Sequence, residues 1–322
     1  MKGSRPRVAV VGSMVMDLVF RVARRPRLGE TLAGEEFGMY LGGKGFNQAV
    51  ACHRLGAETA FVGRCGEDAF GEMFLARMRE EGMSDRHVGR DPVNGTGAAA
   101  PMVYPDGGNS IVGVPRANLA LTPAEVEAAE EAIARADLLM LQFEVNPAAS
   151  RRAAELARRH GTLVLLDPAP AHGGSGDVDW PHDYLVPNEL EADTLAPGET
   201  PEEWARGLLG GLRALVISRG ERGAVVVDRA GMREHPGYRV AAKDTTGAGD
   251  AFRAGLAVEI ARGRDIDAAV RFANACGALA CTVAGAEPSM PTRAAVEAFA
   301  AGHVPAGPAS AGEEGEVPDD ID

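Results

Sequence analysis

Nothing in the sequence suits a disulfide framework or a zinc site. Its four cysteines, Cys52, Cys65, Cys276 and Cys281, form no CxxC and no ligand spacing with histidine, so buried free thiols are expected. Positive charge is also short. Thirty-three Lys and Arg against 46 Asp and Glu leave a net −13, which argues against a nucleic-acid partner, since phosphate backbones need a basic surface. An anionic nucleotide must then be held by local devices. No apolar run is long enough to span a membrane. The stretch VAVVGSMVMDLVF resembles a signal peptide until Gly12, Asp17 and Arg21 interrupt it. A first buried strand fits better, and a cytoplasmic protein is expected. No G-x-G-x-x-G follows that strand, which removes the obvious dinucleotide-binding alternative. There is no internal repeat.

What is present suits a large α/β domain. The 322 residues are 45% hydrophobic and 25% charged, enough to bury a full core. Arg7–Val11 reads as a central parallel strand and MVMDLVFRV as a second strand. Glu30–Leu41 is a returning partner that delivers the chain to a Gly42-Gly43 turn. Helices are expected over Asn47–Leu55 and Asp68–Glu81, with Thr59–Gly63 as a strand between them. Thr96–Val103 and Ser110–Val114 flank Pro105-Asp-Gly-Gly-Asn109, a hairpin signal. From Leu121 onward strands alternate with helices: a Thr122-Pro123 helix start, strands at Asp137–Phe143 and Thr162–Leu166, a helix at Ala148–His160, and strands at Asp183–Val186, Ala214–Ser218 and Ala224–Val227. This pattern predicts a mostly parallel sheet covered by helices on both faces. Ligands in such folds lie beyond the carboxyl ends of the strands, where Glu144, Asp167, Asn188 and Ser218 fall.

The chain is organised around Asp244-Thr-Thr-Gly-Ala-Gly-Asp250, followed by an apolar-faced helix. Glycines there allow backbone conformations that a Cβ obstructs. A turn of this kind at a helix start gathers free N–H groups and the positive dipole end at one spot. That spot suits a phosphate, and Asp250 stands at its mouth. Taken alone, Asp250 reads as a helix cap, Asn188-Glu189 as a cap after Pro187, Lys44 as a turn lysine and Glu144 as a surface charge.

Together with Gly42-Gly-Lys-Gly-Phe-Asn-Gln-Ala49, this stretch strongly resembles the two signatures of the ribokinase-like (PfkB) sugar and nucleoside kinases. The resemblance runs from about Val8 to about Ala300. Within the family it is nearest in pattern to the ribokinases, through MLQFE, DPAP, PNELEA and GAEPSMP. It implies an ATP-dependent kinase that phosphorylates the hydroxymethyl of a pentose or related furanose. A nucleoside or deoxyribose kinase, or a noncatalytic sugar binder on the same scaffold, is the alternative. By this resemblance Asp250 is the catalytic base, and the amides of Gly247, Ala248 and Gly249 form the anion hole. Asp17, Gly43, Lys44, Asn47 and Glu144 match hydroxyl-binding positions. Asn188 and Glu191 match the N-x-x-E motif that organises phosphate and hydrated Mg²⁺. Ser218, Gly220 and Gly223 match the loop over the nucleotide, and Asn274 falls on the helix beside the adenine. A monovalent cation, potassium, would be held at Asp244, Thr246, Ala280, Val283, Gly285 and Ser289, several through backbone carbonyls. A homodimer paired through a small β-sheet lid, built from about residues 15–41 and 96–115, is also implied.

Three positions depart from the family. Val15 stands where the ribose kinases have an Asn that reaches the sugar. Phe46 replaces a small residue and either crowds the pocket or packs against the lid. Lys243 places an extra cation beside the expected potassium site, or points to solvent. The kinase domain is expected over residues 1–302. His303–Asp322, rich in Gly, Pro, Ala, Glu and Asp, is expected to be a disordered acidic tail.

Overall fold

The alternation of β-branched runs with helical segments produces a nine-stranded sheet between two helical layers. The computed structural model describes residues 5–105, 108–171, 180–208 and 211–306. The sheet comprises β1 (Arg7–Val11), β4 (Glu58–Gly66), β5 (His87–Asp91), β8 (Leu138–Leu141), β9 (Leu163–Leu166), β10 (Tyr184–Leu185), β11 (Ala214–Ser218), β12 (Ala224–Asp228) and β13 (Gly231–His235). Their spatial order is β13-β12-β11-β10-β9-β8-β1-β4-β5. Pairing is parallel from β11 through β5 and antiparallel for β12 and β13. The two-residue period of a strand divides the core. Val8 and Val10 face one cluster with Phe46, Phe61 and Leu256. Ala9 and Val11 face the other with Leu139, Leu141 and Leu156.

Helices α1 (Lys44–Arg54), α8 (Ala248–Ala261) and α9 (Ile266–Ala280) cover the first face. The second carries α3 (Pro123–Ala128), α4 (Glu130–Arg135), α5 (Pro147–His160), α6 (Glu189–Leu195) and α7 (Pro201–Leu208). The helix α2 (Ala69–Glu81) starts one residue later than expected, with Asp68 as its N-cap accepting a hydrogen bond from Gly71 N, and stops at Gly82 in the left-handed region. Thr122 and Glu125 form a reciprocal capping box on α3.

Two expectations change at the glycine turns. Gly42 is the last residue of β3 (Glu36–Gly42), and Gly43, at φ 89°, is the N-cap of α1, which therefore starts at Lys44 rather than Asn47. Gly247, at φ 80°, caps α8, so Asp250 lies inside the first helical turn rather than ahead of it. Sequence reading passed over β5 and β13, the two edges of the sheet. HVGRD and GMREH carry charges and glycine, because an edge strand buries little and needs no continuous apolar run.

The lid is a separate four-stranded sheet in the order β3-β2-β6-β7, formed with β2 (Val15–Arg21), β6 (Gly97–Val103) and β7 (Asn109–Val114). Its turn residues 106–107 lie outside the described residues. Pairing of Asp17 with Tyr40 and Ala99 puts these on one face, and Val15, two residues from Asp17, shares it. The opposite face carries Leu18, Phe20, Phe37, Met39, Val112 and Val114. Of these Phe37, Met39, Val112 and Val114 are exposed by 49–66%. Residues 307–322 of the expected tail lie outside the described residues. Ahead of them His303 stacks on Phe299 at 4.1 Å, and Ala306 N donates to Gly237 O over 2.8 Å.

Candidate active site

The carboxyl ends of β1, β8 and β9 meet the N-termini of α1 and α8, and the residues of both sequence signatures converge there. Close backbone approach is a condition of this meeting. A Cβ on Gly45 would lie 2.5 Å from Gly12 Cα, so α1 can dock on the β1 turn only with glycine at that position. Glu144 is no surface charge. Its Oε2 accepts from Lys44 N over 2.9 Å and pairs with the Ser13 hydroxyl, serving the free end of α1. Lys44 is no solvated turn lysine either. Burial pulls its ammonium down, but the charges of Asp167, Asp250 and Glu144 together outweigh burial and hold it above its ordinary value. Burial first, and then Glu144 and Asp250, push the Asp17 carboxyl of the lid up to about 7.

Asp250 is buried, and amides fix both of its oxygens. Asn47 Nδ2 donates to Oδ2 over 2.9 Å, and Gln48 Nε2 donates to Oδ1 over 3.0 Å. The same Gln48 nitrogen donates to Asp167 Oδ2 over 2.8 Å, and Gln48 Oε1 accepts from Gln142 Nε2 over 2.7 Å. A chain of amides thus runs from β8 through α1 to the carboxylate on α8. An ionised carboxylate so held is oriented and needs no reorganisation to accept a proton.

On the other side of Asp250 opens a cavity of 670 Å³. Asn188, Ser218, Gly220, Gly223 and Asn274 line it with Ala248 and Gly249 of the helix end. Asn188 does cap α6, in a reciprocal box with Glu191, and Glu191 Oε2 accepts from Asn188 N over 2.7 Å. Gly223 must be glycine, since φ is 86° and a Cβ would stand 2.0 Å from His235 O. Asn274 Nδ2 holds the facing loop by donating to His235 O and Pro236 O over 3.2 and 3.1 Å.

Asp244 ties the turn before α8 to the segment after α9. Its Oδ1 accepts from Thr246 N and its Oδ2 from Gly285 N, each over 2.9 Å. Ala280 ends α9, Gly285 sits at φ 84°, and the buried Ser289 Oγ donates to Ala286 O over 2.8 Å. Val283 is 42% exposed, leaving only its backbone for a ligand role. Lys243 is exposed, so its charge stands in solvent rather than in this loop pair.

Phe46 is a core residue, in the same buried cluster as Met16 and Leu41 of the lid strands. It is fully buried and packs edge-on against Phe61 and Phe74, with ring centroids 6.0 and 4.8 Å away. Sequence reasoning missed Gln48 and Arg253. Arg253 is 2% exposed and sits between Asp167 and Glu191, its Nε 2.8 Å from Asp167 Oδ1 and its Nη2 2.9 Å from Glu191 Oε2. The missed signal was a basic residue in a helix with buried residues all round, where an unpaired charge cannot survive.

The pattern of the pfkB family carbohydrate kinases matches residues 5–293. The chain is 39% identical over 293 residues to a ribokinase of Bacillus subtilis (strain 168), covering 90% of this chain and 98% of that protein. It is 33% identical over 295 residues to a deoxyribokinase of Salmonella typhi, covering 88% and 95%. Among solved structures, the ribokinase of Arabidopsis thaliana complexed with ribose and ATP matches with a TM-score of 0.82 at 31% identity, over 92% of this chain and 98% of that one. With the oriented aspartate at the glycine-turned end of α8, these findings agree on one conclusion: the chain belongs to the pfkB family of carbohydrate kinases.

Proposed function

We propose that Asp250 takes the proton from the hydroxymethyl of a furanose held between the N-terminus of α1 and the lid, the chain being an ATP-dependent pentose kinase. The γ-phosphoryl group of ATP arrives from the 670 Å³ cavity over the amides of Gly247, Ala248 and Gly249. The carrying observation is that one helix end supplies both the amides and the base, and that Asn47 and Gln48 fix that base. Preorganised donors aimed at developing charge are the largest contribution in most such reactions. A protein that only bound sugar would need neither.

On the sugar side, Asp17, Lys44, Asn47 and Glu144 supply hydroxyl partners, and Gly43 lets the backbone approach. Val15 shares the face of Asp17 and offers a hydroxyl nothing. The reading therefore favours a 2-deoxy or substituted furanose over ribose, and the deoxyribokinase relative supports it. Mg²⁺ arriving with ATP would be held near Asn188 and Glu191 and would neutralise phosphate charge. Glu191 fits that role because both of its protein hydrogen bonds fall on Oε2, leaving Oε1 without a donor among the described residues. Few protein ligands suffice for an ion that keeps its waters. Potassium would sit between the Asp244–Thr246 turn and the Ala280–Ser289 segment, holding the glycine turn in place. The exposed apolar lid face supports a homodimer. The four unpaired cysteines support a reducing, cytoplasmic setting. Among the described residues no helix is long and apolar enough to cross a membrane.

The test is ADP release with ribose, 2-deoxyribose and nucleosides, for wild type and Asp250→Asn. The variant should fold and bind sugar yet lose roughly 10²- to 10⁴-fold in turnover. Retention of more than about a tenth of the rate would remove Asp250 from the role of base.

A further inference from the structure

The bonds of Arg253 leave one nitrogen spare. Nε–H is aimed at Val186 O over 3.0 Å, and Nη2 donates to Glu191 Oε2 over 2.9 Å. Asp167 Oδ1 lies 2.8 Å from Nε, yet no N–H is directed at it. No described residue accepts a hydrogen bond from Nη1. That nitrogen lies against the helix end, where a Cβ on Gly249 would come within 2.6 Å of it. Arg253 lines the same cavity as Ala248, Gly249 and Asn188. It follows Asp250 by three residues on α8, so the two side chains share the face that looks into the site. The guanidinium is thus clamped on two sides by carboxylates and a carbonyl, with its remaining donor beside the anion hole.

We propose that Arg253 is a further catalytic residue, whose Nη1 donates to a nonbridging oxygen of the phosphoryl group in transfer. The proposal rests on the assignment of Gly247–Gly249 as the anion hole. The sugar oxygen bonds to the γ-phosphorus and its proton goes to the Asp250 carboxylate. The bond to the β,γ-bridging oxygen breaks, and its electron pair leaves with ADP. Arg253 keeps all its protons and lends only a hydrogen bond to the charge spread over the equatorial oxygens. Asp167 and Glu191 position it. The requirement for glycine at 249 follows, because any side chain there displaces Nη1.

Arg253→Lys in the full chain separates this role from a structural one. Lysine keeps a positive charge between Asp167 and Glu191 but has no second terminal nitrogen to reach Gly249. The measurements are kcat, KM for sugar and ATP, and calorimetric affinity for ADP with sugar, with and without aluminium fluoride as a mimic of the group in flight. The expected result is a kcat lower by about 10²- to 10³-fold, with ADP affinity within about threefold and the tightening by aluminium fluoride lost. The paired variant Asp167→Asn/Arg253→Gln removes the guanidinium with the net charge of the cluster unchanged, and should show the same loss. It decides the matter if Arg253→Lys does not fold. The proposal is overturned if Arg253→Lys keeps more than about a third of kcat with the tightening intact, or if the folded double variant turns over at the wild-type rate. Absence of any tightening in wild type would instead overturn the anion-hole assignment, and the proposal with it.

Discussion

Replacing Gln48 with methionine tests whether the amide chain behind the base contributes to function. The change keeps the length of the side chain and deletes three hydrogen bonds at once, to Asp167, Asp250 and Gln142. Hydrogen bonds to charged groups contribute about 1.5–3 kcal/mol each. Asp250 keeps its Asn47 donor and Asp167 keeps Arg253, so the two losses should not add in full. The expected destabilisation is about 2–4 kcal/mol. With a urea slope of roughly 3 kcal/mol/M for a chain of this size, the unfolding midpoint should fall by about 1 M. One of the two anchors of the base is gone as well. Misplacement of a reacting group by about 1 Å costs on the order of 10²-fold, so kcat should fall by roughly 10- to 100-fold. KM for ATP should hold, because Gln48 does not line the nucleotide cavity. An unchanged midpoint together with kcat within about twofold of wild type would refute the argument.

Val15→Asn should move preference toward ribose. An unpaired buried hydroxyl costs roughly 1–3 kcal/mol, equivalent to about 5- to 150-fold in kcat/KM. If wild type already prefers ribose to 2-deoxyribose and the variant leaves the ratio alone, Val15 does not face the sugar. Because the Asp17 carboxyl is pushed up to about 7, it is protonated below that pH and becomes the stronger, charged acceptor of hydroxyl bonds above it. Sugar affinity should therefore rise as pH climbs through about 7, and calorimetry on Asp17→Asn should give a flat profile; a flat wild-type profile would count against this role. Potassium should raise activity over a bulky organic cation at fixed Mg²⁺, and equal rates would remove the cation site. Phe37→Glu should convert a dimer to a monomer in sedimentation, and a monomeric wild type at micromolar concentration would end the lid-pairing idea.

Those elements whose cause is local were legible in the sequence. Asp68, Thr122 and Asn188 cap helices by bonds to residues three positions on, and the buried runs of β1, β8 and β11 announce central strands. What depended on distant partners was not legible. Glu144 read as a surface charge because its partners, Ser13 and Lys44, are remote in the chain. Phe46 left two readings open because its neighbours Phe61 and Phe74 come from another strand and helix. Gln48 and Arg253 went unnoticed for the same reason. Each is polar within a helix, and only the fold shows that carboxylates surround it. The edges β5 and β13 lack the apolar pattern because half of their environment is water.

The unequal distribution of charge about Asp250 bears on how the reaction ends. In the proposed reading Asp17, Glu144 and Asp250, whose charges act on one another, form the sugar side, while the positive end of α8 faces the nucleotide. A neutral sugar enters among these acids at little electrostatic cost and gains their hydrogen bonds. Once phosphorylated it is a dianion enclosed by the same acids, with Lys44 already committed to Asp167, Asp250 and Glu144. The groups that admit the substrate thus expel the product, and the sugar phosphate should inhibit far more weakly than ADP.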